Sequence, residues 1–248
     1  MNLQGKNVLI TGAARRIGKA IALCLAARGA RILLHYHQSQ KEAVRLRDEI
    51  ESLGGEALLF KAGFSGGPKT LPAVKKFAAE IYKKAGRVDV LVNNASIYYP
   101  TPLGKITEKD WDNFLGINLK VPFFLSQEIG IRMVKQKSGK IINLVDWMAL
   151  RPSENYLPYC ISKAGLAAAT KGLAKALAPH VQVVSIAPGP ILPPPGITAT
   201  RKNKVIARTP LKKFGTPEDI AAAVRFVAED TDYITGAFIP VDGGNLIA

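Results

Sequence analysis

The sequence predicts a doubly wound α/β fold, in which helices cover both faces of a parallel seven-stranded sheet. Short runs of consecutive apolar residues, typical of strands buried on both faces, alternate along the chain with longer segments of helical periodicity. A glycine-containing turn joins the first of these runs to the first helical segment. No repeat or linker divides the 248 residues, so we expect a single domain over residues 1–248.

The predicted strands are seven short apolar runs, and helical segments separate them. The strands cover residues 7–11, 31–35, 57–60, 88–92, 140–144, 181–186 and 237–241. The helices cover residues 17–28, 40–53, 71–84, 108–115, 119–134, 156–176 and 217–228. The last helix has Thr216 as its N-cap and Pro217 at its first position, which is a favoured helix start.

One long segment, residues 188–210, lies outside this alternation. Its first half is too rich in proline for a helix or a strand. Long loops in compact domains are usually functional, so we expect a substrate loop or lid here, with a disordered excursion as the alternative.

Composition limits the classes of protein that fit. The hydrophobic content of 48% is ample for a core, and the chain contains neither a signal-peptide pattern nor an apolar run long enough to span a membrane. Cys24 and Cys160 fall in predicted helices, with no spacing typical of a disulfide or a metal site. We therefore expect a cytoplasmic protein with no bound metal and no membrane contact.

The net charge of +15 is compatible with nucleic-acid binding or with a solvated basic surface. The basic residues are spread over many segments without a nucleic-acid-binding signature, so we favour the solvated surface. One cluster in residues 201–213 contains no acid, and it could attract either an anionic substrate tail or nucleic-acid phosphates. Its members are Arg201, Lys202, Lys204, Arg208, Lys212 and Lys213.

The turn after the first strand is typical of a phosphate-binding loop. Gly12 and Gly18 lie at the ends of the segment 12–18, between the first strand and the first helix. Glycines allow the backbone to approach a pyrophosphate, and the helix N-terminus supplies N–H groups and the positive end of a dipole. A glycine pair alone is weak evidence, and its position in the alternation makes it strong.

Five motifs, in order along essentially the whole chain, resemble those of the short-chain dehydrogenase/reductase family. They are Thr11-Gly12 with Gly18, Asn93-Asn94-Ala95-Ser96, Tyr159 with Lys163, Pro188-Gly189, and Asp242-Gly243-Gly244. The resemblance implies a single-domain Rossmann fold, an oxidoreductase that uses a nicotinamide cofactor, and a homotetramer.

Several departures from the usual family pattern resemble the pteridine reductase branch. Arg16 replaces the middle glycine of the first motif, and Asp146 stands where a catalytic serine is usual. The loop 93–103 and the segment 35–39 also fit that branch. The resemblance implies reduction of a dihydropterin of the dihydrobiopterin, dihydromonapterin or dihydrofolate type.

The end of the second strand predicts the choice of cofactor. NAD-selective sites hold the ribose 2′-hydroxyl with an acid there, and residues 31–41 contain none. Positive charge and hydrogen-bond donors suit a 2′-phosphate, so we expect NADP(H); they come from Arg15, His37, Gln38, Ser39 and Lys41. The resemblance adds these cofactor contacts: Gly12, Arg16, Ile17, Gly18, Asn94, Ala95, Ser96, Tyr159, Lys163, Pro188 and Gly189.

A further departure concerns the adenine end of the cofactor. The family usually has Asp where Gly63 stands, so that side-chain contact should be missing. We expect only backbone groups of Gly63 and Phe64 to reach the ring.

The predicted catalytic residues are Asn118, Asp146, Tyr159 and Lys163. Tyr159 and Lys163 lie four apart on a helix and share a face, so the ammonium should lower the pKa of the phenol and fit it as proton donor. The resemblance implies that Lys163 also binds the nicotinamide ribose and that Asn118 relays protons. Asp146 is either a loop or N-cap carboxylate or a group that accepts from a ring N–H or passes a proton to Tyr159.

The predicted substrate contacts suit a flat heterocycle. By resemblance, Tyr98 stacks on the pterin, Ser96 touches pterin or cofactor, and Arg16 reaches towards substrate and phosphate; Asp146 and Tyr159 complete the set. Two other functions stay open. One is reduction of another carbonyl or imine; the more remote is a nucleotide-binding or basic scaffold protein without turnover.

Overall fold

The computed structural model describes residues 1–67, 69–193 and 196–248. Its centre is a seven-stranded sheet in which every pairing is parallel, in the order β3-β2-β1-β4-β5-β6-β7. The strands are β1 (Asn7–Ile10), β2 (Arg31–Tyr36), β3 (Glu56–Lys61), β4 (Val90–Asn93), β5 (Gly139–Leu144), β6 (Val181–Pro188) and β7 (Phe238–Val241). The predicted doubly wound α/β fold is confirmed.

The helices lie between these strands along the chain. They are α1 (Arg16–Ala26), α2 (Gln40–Ser52), α3 (Thr70–Ala85), α4 (Glu108–Leu115), α5 (Val121–Lys135), α6 (Leu157–Leu177), α7 (Ala199–Arg208) and α8 (Pro217–Arg225). A π-helical turn, Gly116–Lys120, joins α4 to α5, and another, Phe226–Asp230, follows α8. The predicted cap of α8 is present, because the Thr216 side chain accepts from the N–H of Asp219.

The sheet separates two layers of apolar packing. Successive side chains of a strand face opposite sides, so Val8 and Ile10 of β1 join the core beneath α1 and α8, whereas Leu9 joins the core beneath α3 and α5. All three side chains are fully buried. This two-sided burial is the reason why the strands are continuous apolar runs.

The order of the strands in the sheet determines where the candidate site lies. The chain runs outward from β1 to β2 and β3, and then returns to add β4 on the other side of β1. Ligands bind at this reversal, outside the carboxyl ends of the strands. Gly12 follows β1, Asn94 follows β4, and Asp146 lies just beyond β5, so the sheet brings three predicted site residues to one edge.

A buried amide pair fixes this edge between β4 and β5. Asn93 and Asn143 are paired in register, and Asn93 Nδ2 donates to Asn143 Oδ1 at 2.8 Å. Asn93 Nδ2 also donates to Ser126 Oγ on α5, and Asn143 Nδ2 donates to Thr170 Oγ1 on α6. These bonds link β4 and β5 to α5 and α6 near the carboxyl ends of the two strands.

The prediction of a loop over residues 188–210 was wrong for its second half, which is helix α7. No proline occurs in Ala199–Arg208, and the Thr198 side chain caps the helix by accepting from the N–H of Arg201 at 3.3 Å. The prolines that motivated the loop lie before the helix, and Pro194 and Pro195 fall outside the described residues.

Three further findings concern bonds, metals and membranes. Cys24 in α1 and Cys160 in α6 are both free thiols. Across the described ranges, no group of His, Cys, Asp and Glu side chains has an arrangement that could hold a metal ion. Among these same residues, no helix has the length and apolar character needed to cross a membrane.

Candidate active site

The turn after β1 has the close backbone packing that a phosphate loop requires. Gly12 has a φ of +61°, and a Cβ on it would lie 3.1 Å from the Cα of Ala95. A Cβ on Gly18 would collide with the carbonyl oxygen of Gly12. Asn94 Nδ2 donates to the carbonyl oxygens of Thr11 and Gly12 at 2.8 and 3.0 Å, which joins this turn to the loop after β4.

Arg16 keeps the backbone conformation of the glycine that it replaces. Its φ is +54°, in the left-handed region that favours glycine and costs other residues about 1–2 kcal/mol. The side chain is exposed and lines the cavity beside the turn. A strained residue at a ligand-binding turn indicates that its side chain has a use there.

A cavity of about 400 Å³ occupies the crevice at the reversal of strand order. The N-terminus of α1 and the side chains of Arg15 and Arg16 give it positive potential, and none of its lining residues is acidic. This surface fits the phosphates of a dinucleotide. The lining residues are Gly12, Ala14, Arg15, Arg16, Ile17, Gly18, Tyr36, His37, Gln38, Ser39, Asn94, Ala95 and Ser96.

The predicted 2′-phosphate residues lie together at one end of this lining. His37, Gln38 and Ser39 follow β2, and Ser39 precedes α2 directly. Arg15 Nη1 lies 3.7 Å from Glu42 Oε1 in an exposed ion pair. Exposed pairs of this kind are weak, so the guanidinium stays available to an anionic ligand.

Gly63 leaves space that the His37 ring occupies. A Cβ on Gly63 would lie 2.7 Å from His37 Nε2. The Phe64 ring turns inward and packs against His35 and Phe77, with centroids 5.5 and 5.4 Å apart. The imidazole of His37 therefore stands where a side chain at position 63 would project, and the Phe64 ring belongs to the core.

The predicted catalytic pair of Asp146 and Tyr159 is assembled. The Tyr159 hydroxyl donates to Asp146 Oδ2 at 2.7 Å. Asp146 Oδ1 accepts from the N–H of Met148 at 2.9 Å and caps the short 3-10 turn Trp147–Ala149. The N-cap interpretation of Asp146 is confirmed. The hydrogen bond to Tyr159 provides a route for a proton, and the transfer of a proton along it stays a prediction.

Lys163 is buried beside this pair. Its Nζ donates to the carbonyl oxygen of Leu144, the last residue of β5, at 2.8 Å. Nζ also lies 5.8 Å from the centroid of the Tyr159 ring. Burial lowers the pKa of Lys163 to about 8, although Asp146 opposes that shift.

The pKa values of Asp146 and Tyr159 are set mainly by burial. Burial raises the pKa of Asp146 to about 6, against the N–H of Met148, the Tyr159 hydroxyl and the Lys163 charge. The predicted lowering of the pKa of Tyr159 was wrong. Burial raises that pKa well above its usual value, and the neighbouring Asp146 charge raises it further.

Asn118 positions the loop after β4. It is buried in the π-helical turn, and Oδ1 accepts from the N–H of Ile97 and from Ser96 Oγ at 2.9 and 3.1 Å. Nδ2 donates to the carbonyl oxygen of Ile97 and to Ser162 Oγ. Because these bonds occupy the whole amide, the geometry assigns the side chain a holding role, and the proton relay stays a prediction.

Tyr98 forms an aromatic group with two other tyrosines. Its ring stacks on Tyr156 at 4.7 Å with an interplanar angle of 1°, and it meets Tyr159 edge-on at 4.9 Å. Half of the Tyr98 surface is exposed. Sequence reasoning missed Tyr156, although its position three residues before Tyr159, one helical turn away, was a usable signal.

Pro188 and Gly189 lie at the end of β6, on the same edge of the sheet. The N–H of Gly189 donates to the carbonyl oxygen of Val241 at 3.0 Å. A Cβ on Gly189 would lie 2.5 Å from the Cα of Asp242. This close packing accounts for the glycine, and its predicted contact with the cofactor stays a prediction.

Comparisons with known proteins agree with this architecture. Residues 12–245 match the family model described as enoyl-(acyl carrier protein) reductase. The chain is 36% identical to the 3-oxoacyl-[acyl-carrier-protein] reductase FabG of Staphylococcus epidermidis over 243 residues, covering 96% of this chain and 98% of that protein. It is 35% identical to the FabG protein of Thermotoga maritima over 251 residues, covering both chains fully.

A solved structure resembles the whole chain. The crystal structure of FolM alternative dihydrofolate reductase 1 from Brucella canis, complexed with NADP, superposes with a TM-score of 0.90 at 30% identity. The match covers 100% of this chain and 96% of that one. Together with the phosphate loop and the Tyr159–Lys163 pair, these matches show that the chain is an NADP(H)-dependent oxidoreductase and belongs to the short-chain dehydrogenase/reductase family.

Proposed function

We propose that this protein reduces the ring imine of a dihydropterin, with NADPH as the reductant. The observation that carries the proposal is the 2.7 Å hydrogen bond between the Tyr159 hydroxyl and Asp146, directly beside the exposed ring of Tyr98. A flat heterocycle can stack on that ring while its polar edge faces the carboxylate. The FolM structure, a dihydrofolate reductase by its name, supports the same substrate class.

The residues of this chain supply binding and the proton. NADPH supplies the hydride when bound, and the ring carbon of the imine accepts it. The ring nitrogen takes a proton from Tyr159, and the Tyr159–Asp146 hydrogen bond allows the carboxyl group to replace that proton. The C=N bond becomes CH–NH. Lys163, held by the carbonyl oxygen of Leu144, keeps positive charge beside the pair while the proton moves.

Asp146 distinguishes an imine from a carbonyl substrate. Carbonyl reduction develops negative charge on oxygen, which needs a hydrogen-bond donor. An ionised carboxylate can only accept. An imine develops no such oxyanion, and the amino and N–H groups of a pterin are donors that Asp146 can accept from.

The second candidate is reduction of a 3-oxoacyl thioester. The curated relatives at 35–36% identity are 3-oxoacyl-[acyl-carrier-protein] reductases, which favours it. Against it stands Asp146, because a carboxyl group with a pKa of about 6 is mostly ionised at neutral pH and then has no proton to donate to a carbonyl oxygen. The assembled Tyr159–Lys163 pair favours either enzyme over a scaffold protein without turnover.

The deciding experiment follows NADPH absorbance with a panel of dihydrobiopterin, dihydromonapterin, dihydrofolate and a β-keto ester. We expect turnover of at least one dihydropterin and little turnover of the keto ester. Turnover of the keto ester with no pterin reduced would transfer the assignment to the second candidate.

The variant Asp146→Ser tests the role of the carboxylate. We expect kcat for the dihydropterin to fall by about 10²-fold or more, which is the usual scale for losing an acid–base group. The Kd for NADPH, measured by fluorescence titration, should change little. An equal loss in both quantities would indicate that Asp146 serves folding instead.

A further inference from the structure

Helix α7 presents an uncompensated cationic surface, which we call the basic helix surface. The residues from 197 to 217 include no acid. Within residues 1–67, 69–193 and 196–248, none of its basic side chains takes part in an ion pair with a carboxylate. Its members, all exposed, are Arg201, Lys202, Lys204 and Arg208.

The C-terminal end of α7 is tied to the catalytic segment. Thr209, directly after the helix, is buried, and its hydroxyl accepts from Asn245 Nδ2 at 3.1 Å. The carbonyl oxygen of Asn245 accepts from Arg151 Nη1 at 3.0 Å. Arg151 belongs to the segment that begins at Asp146, so Asn245 holds α7 and the catalytic segment together.

The N-terminal end of α7 follows β6 in the chain, and the carboxyl end of β6 lies at the edge of the sheet that carries the site. Arg201 is in the first turn of the helix, where Thr198 caps it. Burial and Tyr156 raise the pKa of Tyr98, and the positive charge of Arg201 opposes that rise. The positive charge of Arg201 therefore acts on the ring that is proposed to stack on the substrate.

We propose that the basic helix surface binds carboxylates carried on the side chain of the dihydropterin. This inference rests on the proposed function and narrows it to substrates such as dihydrofolate, whose glutamate tail carries negative charge. Uncharged dihydropterins, such as dihydrobiopterin, lack that contact. A mobile charged tail gains most from a partly solvated cluster of cations, and salt screens this attraction.

The test compares Arg201→Gln, Arg201→Lys and the control Lys171→Gln. Lys171 is also exposed and lies about 18 Å further along α6 than Tyr159. The Lys171→Gln substitution therefore removes one positive charge far from the site. KM and kcat are measured for dihydrofolate and for dihydrobiopterin at low and at high salt.

We expect Arg201→Gln to raise KM for dihydrofolate about tenfold with kcat retained, the scale of one charge-assisted hydrogen bond. Arg201→Lys should retain most of the affinity, Lys171→Gln should match the wild type, and KM for dihydrobiopterin should stay within about twofold. Equal changes for both pterins, or no change for dihydrofolate, would overturn the inference alone. If the wild type reduces neither pterin, the proposed function fails and this inference fails with it.

Discussion

Asp146 has one hydrogen bond that caps a turn and one to the proposed proton donor. Its two oxygens have different partners, the N–H of Met148 and the hydroxyl of Tyr159. Burial makes ionisation of the carboxyl unfavourable, so its pKa lies at about 6 instead of 3.8. A carboxyl with a pKa near neutrality can store and release a proton at the pH of catalysis.

The raised pKa of Asp146 predicts a pH dependence. Below about pH 6 the Asp146–Tyr159 pair holds one more proton, so we expect kcat for dihydropterin reduction to fall as pH rises through about 6. Asp146→Asn cannot titrate, and its lower rate should show no such step. The measurement is kcat at saturating NADPH from pH 5 to 8; the same step in the variant would assign the titration to another group.

The raised pKa of Asp146 also predicts how the free energy of unfolding depends on pH. As pH falls, the folded protein takes up the Asp146 proton at about pH 6, before the unfolded chain does near 3.8. The contribution of this group to the free energy of unfolding therefore decreases as pH rises from about 4 to about 6. Urea unfolding of Asp146→Asn should lack this contribution.

At Arg16 we expect one substitution to raise stability and to weaken ligand binding. Glycine adopts a φ of +54° without the cost paid by arginine, so Arg16→Gly should raise the free energy of unfolding by up to about 1 kcal/mol. Loss of the guanidinium at the cavity should at the same time raise KM for the pterin or Kd for NADPH. Urea denaturation and NADPH titration measure the two effects; a variant that is less stable than the wild type would contradict the strain argument.

At the scale of elements, the turn between β1 and α1 depends on close packing that a larger side chain would disrupt. Gly18 lies inside α1, where a Cβ would meet the carbonyl oxygen of Gly12 and Asn94 Nδ2. Movement of either group would displace the backbone that lines the cofactor cavity. Gly172 in α6 offers a contrast, because a Cβ there would meet nothing within 4 Å.

We therefore expect a glycine-to-alanine substitution to change the free energy of unfolding in opposite directions at Gly18 and at Gly172. Gly18→Ala should lower the free energy of unfolding by about 1–3 kcal/mol through overpacking, and should weaken NADPH binding. Gly172→Ala should raise the free energy of unfolding by about 0.5–1 kcal/mol and leave NADPH binding unchanged. Thermal unfolding and fluorescence titration test both; tight NADPH binding by Gly18→Ala would show that the turn can relax.

Elements differed in how well the sequence predicted them. The predicted strand ends lie within two residues of the observed ends. A strand that is buried on both faces, such as the one with Leu91 and Val92, consists of consecutive apolar residues, and this pattern is easy to recognise in a sequence. Helix α7 was missed because the prolines from Pro188 to Pro195 dominated the segment. Its own residues carry no apolar stripe facing a core, and none of them is buried.

At the scale of the whole molecule, the resemblance to the family predicts a homotetramer. Light scattering with size exclusion should give a mass four times the 26.7 kDa of the chain. A mass of a single chain at micromolar concentration would contradict this prediction. A cytoplasmic location likewise stays a prediction. Basic residues that line the cavity or belong to the basic helix surface contribute part of the net charge of +15.

The sequence by itself predicted the fold and the cofactor, and with the family resemblance it predicted the phosphate loop and the roles of Asp146, Tyr159 and Lys163. These features depend on apolar runs, on glycines at a turn and on residues four apart in a helix, which are local properties of the chain. These features can therefore be predicted before any tertiary contact is known.

Only the tertiary structure decided how these residues act on one another. It stacked Tyr156 on Tyr98 and placed the His37 ring against Gly63. It also reversed the expected shift of the Tyr159 pKa, because burial and the neighbouring Asp146 charge both raise that pKa. Desolvation and contacts between distant segments depend on distances in space, and spacing along the chain does not specify those distances.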